Sequence, residues 1–237
     1  VDSAAPVSAA GSGNILLDAS GALTLNADVS SGSGNITLVG ANGLSIGSGV
    51  STITGAGDIF MDAGSGALLQ SSTSTTAAGE NVRLVATGDV TVAEVIADKI
   101  SVLSSANIIT APGASLNLSA SALRLDAGQA IGTGTDPLTL SVSELSALAN
   151  TGGIFLSESD DITVSSVGVT TDKVGADATT TPIADGALSD LQSGSNGSIV
   201  LSASGSITLD DGDLDGSVVA ANGSGNILLD AAGALAL

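Results

Sequence analysis

Residues 11–25, GSGNILLDASGALTL, return as residues 223–237, GSGNILLDAAGALAL, differing only at Ser20 against Ala232 and Thr24 against Ala236. The copies lie 212 positions apart, far more than one supersecondary unit, so the chain reads as one long repeat plus its overlap into the next. A shorter grammar runs inside the long one: a Gly-rich turn, an Asn or Asp, an alternating apolar strand, a second Gly turn and a second alternating strand. Ile15 and Leu17 are followed by Leu23 and Leu25, Ile36 and Leu38 by Leu44 and Ile46, and Val82 and Leu84 by Val90 and Val92. Later pairs include Ile59 and Met61, Ile100 and Val102, Leu116 and Leu118 with Leu123 and Leu125, and Ile199 and Leu201. Their spacing runs from 16 to 28 residues, with one gap of 45 between Ile154 and Ile199.

Alternation at period two marks strands with one buried face, and the Gly, Asn, Asp and Ser clusters mark the turns. A sandwich or barrel would use hairpin turns between such strands, whereas a parallel β-helix stacks like side chains on like. Re-use of Gly-x-Gly-Asn-Ile-x-Leu favours the second. The expected architecture is all-β, a parallel β-helix forming one continuous solenoid over residues 1–237, with about nine to ten rungs spaced about 4.8 Å apart. Phe60 and Phe155 are the only aromatics, as suits a narrow column of Ile, Leu, Val and Ala. Residues 166–196 break the rhythm and read as an irregular rung or loop insert, either a plain long loop or a contact with a neighbouring fibre or receptor.

Four basic residues face 24 acidic ones, a net charge of −20. Nucleic acid and anionic lipid both need clustered Lys and Arg, so neither is expected as a partner. No apolar run reaches the about 18 residues of a membrane span, and residues 1–11 lack the basic and apolar regions of a signal peptide. The chain reads as an internal slice of a longer protein.

The strongest chemical motif is Asp211-Gly212-Asp213-Leu214-Asp215-Gly216. Its D-x-D-x-D-G spacing matches the first half of a calcium loop, with Asp211, Asp213 and Asp215 as ligands. The closing Glu is replaced by Asn222, so Asp210, a backbone carbonyl or water would have to complete the shell. The other reading is an acidic solvated turn, and calcium is the only cofactor the residues suggest. Asp18, Asp62, Asp126 and Asp230 each precede Ala at a strand end, where Asp caps backbone N–H groups. Asn14, Asn35, Asn81 and Asn226 precede the first inward residue of their rungs, where side-chain amides could stack and bond to one another. There is no His or Cys to activate a nucleophile. A polysaccharide-active enzyme using the adjacent Asp160 and Asp161 is a distant alternative, and no enzymatic activity is expected.

The pattern Gly-Asn-Ile-x-Leu-x-Ala-x-Gly-x-Leu-x-Leu, met as GNILLDASGALTL, GNILLDAAGALAL and loosely as GDIFMDAGSGALLQ, resembles the repeats of filamentous-haemagglutinin-type exoproteins and giant repetitive adhesins of bacteria. The resemblance covers nearly all the chain except residues 166–196. It implies a right-handed β-helix stalk, export to the cell surface, and a role in adhesion or matrix building. The secretion domain and binding head of such proteins have no counterpart here. Two function classes follow. One is a stalk or fibre module whose partners are adjacent copies of itself, within the chain or laterally. The other is an adhesin segment that itself binds a receptor, a partner cell or calcium.

Overall fold

The computed structural model describes residues 5–237, so residues 1–4 of the segment 1–11 fall outside the described residues. All regular elements there are strands; none is a helix. Asn81–Ala86 illustrates the cause: Val82, Leu84 and Ala86 are buried, and the residues between them are only partly covered. A chain that alternates this way has one apolar edge to hide, and it hides it by coiling.

Strands pair with the turn before and the turn after, in parallel, and so form three columns. The first holds Val7–Ala9, Val29–Ser31, Ser51–Thr54, Thr75–Ala78 and Glu94–Ile96. The second holds Ile15–Ala19, Ile36–Gly40, Ile59–Asp62, Asn81–Ala86 and Lys99–Ser104. The third holds Leu23–Leu25, Leu44–Ile46, Leu68–Gln70, Val90–Val92 and Ile108–Thr110. Leu118–Ala127 and Leu138–Ala149 then bend from the first column into the second, each as one long strand. This is a parallel solenoid, not a sandwich of hairpins.

Register places like on like. Ile36, Ile59, Val82, Ile100, Leu123 and Leu145 lie one over the next in the second column, each at 0% exposure. Removing such a side chain from water is worth about 1.5–3 kcal/mol, so every turn carries its own share of the stability. The glycines at the start of the motif serve close approach. A Cβ on Gly34 would lie 2.2 Å from the Gly13 carbonyl oxygen, and one on Gly57 2.5 Å from that of Gly34. Backbone stacks on backbone at this corner, and only glycine leaves room.

Three details depart from the sequence reading. Leu116, expected inward, is half-buried, and it is Asn117 that turns in, at 0% exposure. The Asn ladder forms with different bonding: the side-chain oxygen of Asn14 accepts from the Asn35 amide N–H (2.9 Å), that of Asn35 from Asp58 (2.7 Å), and that of Asp58 from Asn81 (2.8 Å). An Asp serves as well as an Asn, because the rung-to-rung bond needs only the acceptor. Finally, the two copies of the long motif occupy different columns. Ile15–Ala19 lies in the second, whereas Ile227–Ala231 pairs with Ile199–Ala203 and through it with Ile154–Glu158, whose Ile154 bridges to Ile131 in the third.

Candidate functional site

Ile199 stacks on Ile154 in register, so the 45-residue interval between them is a single turn carrying an insert. The insert is an antiparallel hairpin, Ser166–Val174 against Thr180–Ser189. It does not project. It folds back along the solenoid over the second column, crossing earlier and earlier turns. The side-chain amide of Asn81 donates to the Thr170 carbonyl (3.1 Å), Asp172 N–H to Asp58 Oδ2 (2.6 Å), and Val174 N–H to Thr37 Oγ1 (2.8 Å). At the tip, Asn14 Nδ2 reaches the carbonyl of Ala178 (3.0 Å). Val167, Val169, Thr171 and Val174 face inward and are buried. The ladder residues Asn14 and Asp58 therefore serve two neighbours, the next turn and the hairpin, whereas the Asn81 side chain bonds to the hairpin alone.

The hairpin also uses the scarce cations and one of the two aromatics. Thr37, Phe60, Arg83, Ser101 and Arg124 form one row pointing away from the core in the second column. Arg83 donates two parallel hydrogen bonds to the Asp185 carboxylate, from Nε to Oδ2 (2.8 Å) and from Nη2 to Oδ1 (2.8 Å). Arg124 Nε donates to the Gly186 carbonyl (3.1 Å) and its Nη2 to Asp126 (3.0 Å). Arg83 and Lys173 lie over the Phe60 ring at 5.3 and 5.0 Å. Sequence reasoning missed this assembly. The signal was available: in a chain with four basic residues, Phe60, Arg83 and Arg124 fall at the outward position between two core residues of their strands.

At the hairpin's root the chain must leave Ser189 and re-enter the column at Leu191. Asp190 makes that bend at φ +72°, a conformation Asp tolerates better than most residues. Its carbonyl accepts from Ala147 N–H (2.8 Å), and its side chain is driven inward, to 0% exposure. The loop of residues 210–218 in the following turn closes over it. There Asp211 Oδ2 accepts from Gly216 N–H (2.9 Å), and Asp213 Oδ1 from Asp215 N–H (3.2 Å). Gly216 takes φ +90°, as a turn glycine should, and Gly212 is needed for contact: its Cβ would lie 2.6 Å from that of Ser166. One oxygen each from Asp190, Asp211 and Asp213 lie within 4.8 Å of one another. Asp215, expected beside Asp211 and Asp213, instead caps Ser217 N–H (2.8 Å), and Asp190 stands in its place. Burial, then the charge of Asp213, with smaller contributions from Asp215 and Asp211, pushes the Asp190 carboxyl up; the Gln192 amide opposes them.

Two of the other acidic candidates accept from backbone N–H groups, and Asp126 accepts from Arg124 Nη2 instead. Asp62 Oδ1 accepts from Gly64 N–H (2.8 Å), the expected turn cap, and Asp161 Oδ1 accepts from Ser206 N–H (2.6 Å) in the next turn. The chain matches no family model, no curated protein sequence and no solved structure.

Proposed function

We propose that the chain is a structural stalk or fibre-forming module of a giant secreted or cell-surface bacterial protein, a right-handed β-helix of about nine to ten rungs that continues into further copies of itself. The observation that carries this reading is the register of the stack. Ile36, Ile59, Val82, Ile100, Leu123 and Leu145 lie one over the next, fully buried, and Ile227–Ala231 of the returning motif lies residue for residue on Ile199–Ala203. Turns that stack like on like suit a rod extended by repeats of the same pattern. Length, stiffness and an acidic, evenly solvated surface are what such a module contributes outside a cell.

Electron microscopy of two repeats in tandem tests the proposal. A thin rod lengthening by about 45–50 Å per repeat, from about 4.8 Å per rung, is expected. Two compact particles joined by a linker would refute it.

A further inference from the structure

The root of the hairpin leaves buried carboxylate oxygens with nothing to bind. Asp190 is 0% exposed, and its Oδ1 is buried without a hydrogen-bond partner. Its Oδ2 receives only a long contact of 3.4 Å from Gln192 Nε2. Asp211 Oδ1 is likewise buried and unpartnered. A carboxylate withdrawn from water without donor or counter-charge is among the costlier arrangements a fold can hold. Asp190 is such a group here; half-buried Asp211, whose Oδ2 accepts from Gly216 N–H but whose Oδ1 has no partner, and exposed Asp213 each bring an oxygen within 4.8 Å of it. Neither ion pair among the described residues reaches them, since Arg83 is engaged by Asp185 and Arg124 by Asp126.

We propose that Asp190, Asp211 and Asp213 form a calcium site that pins the root of the hairpin to the loop of the following turn. The donor set is all oxygen, which selects a hard cation. Oxygens sharing one Ca²⁺ at about 2.4 Å can lie no more than about 4.8 Å apart, and the three carboxylates already meet that limit. Mg²⁺ holds its ligands at about 2.0–2.1 Å in a strict octahedron and dehydrates reluctantly, so it is bound through one or two carboxylates more often than through three. Water fills the coordination positions left over. The site is discontinuous in sequence: one ligand comes from the hairpin and two from the loop 21 and 23 residues later.

Calorimetric titration of the full chain with CaCl₂ after chelator treatment is the test, with MgCl₂ in parallel. One saturable site with a dissociation constant of about 10⁻⁴–10⁻³ M, the range of calcium sites in extracellular modules, is expected. Asp190→Asn and the exposed Asp213→Asn should each weaken it by about tenfold or more, and Asp215→Asn by less than about threefold. Circular dichroism establishes that each variant is folded. No saturable heat at about 10 mM Ca²⁺, equal affinity for Mg²⁺, or binding that survives Asp190→Asn but not Asp215→Asn would each overturn the site. None of these results bears on rod formation, so the stalk proposal stands or falls separately.

Discussion

Replacing Arg83 by Ala should undock the hairpin before it unfolds the solenoid. The Arg83 side chain is 13% exposed and that of Asp185 7%, so the substitution strands a nearly buried charge. Removing one partner of such a pair costs about 3–5 kcal/mol. The lower figure applies here, because the charge of Arg124 also acts on Asp185. The chain can escape the cost by lifting the hairpin, since the strand Thr180–Ser189 is mostly exposed already. A loss of about 3 kcal/mol is about a 100-fold rise in the open population. The amides of Asp172 and Val174, bonded to Asp58 and Thr37, are the reporters. Their hydrogen exchange should accelerate by that factor while the Leu84 amide in the core strand stays protected. The double variant with Asp185→Ala should recover part of the loss, because it removes the stranded charge. Exchange at Asp172 and Val174 changed by less than about threefold would refute the reasoning. Acid should act in the same direction. Burial raises the Asp185 carboxyl and the bonds from Arg83 outweigh it, leaving it below its usual 3.8. The clamp is therefore at full strength above that value and is lost as pH falls through the lower, folded one.

Glu158 behaves oppositely. Burial pushes it from 4.5 up to about 6 despite bonds from the Ser159 and Val142 amides, so the folded state holds the proton longer. Stability should fall as pH rises from about 4.5 to 6, by about 1 kcal/mol after screening, and a melting temperature flat across that window would contradict it. Asn117→Ala removes an acceptor for Thr139 N–H (3.0 Å) and a donor to the Val92 carbonyl (2.9 Å); urea unfolding should show a loss of about 2–4 kcal/mol for two buried groups left unsatisfied.

The solenoid was legible because its cause is local. Period-two alternation and the recurring Gly-x-Gly each act within one turn, and a turn that repeats must stack. Even so, the sequence places Gly34 in a turn, as the structure does, without showing the close approach to Gly13 that makes glycine necessary there. It took Leu116 for the buried residue where Asn117 is. Alternation says which positions share a side of a strand, but at corners, where strands bend between columns, it loses phase. The hairpin and the acidic site were hidden for another reason. Asp211 and Asp213 were legible together because they are two residues apart, whereas Asp190 joins them only across a full turn of the solenoid, which stacks Leu191–Ser193 against Val219–Ala221. Nothing in DLQSGSN announces a ligand. Phe60, Arg83 and Arg124 each show in the sequence at an outward position, but that they form one row follows only from the register that aligns them.

The docked hairpin also changes how the molecule must come apart and come together. A plain solenoid is close to one-dimensional: each turn knows only its neighbours and can fray from either end. Here hydrogen bonds span 89, 114, 137 and 164 residues, tying Asn81, Asp58, Thr37 and Asn14 to a single insert. The turns beneath it lose the freedom to melt one at a time and become a cooperative block. Loop-closure entropy makes such distant contacts slow to form. In a chain emerging N-terminus first, the early turns stack on their own, and the lock arrives only after residues 166–189 have followed them out.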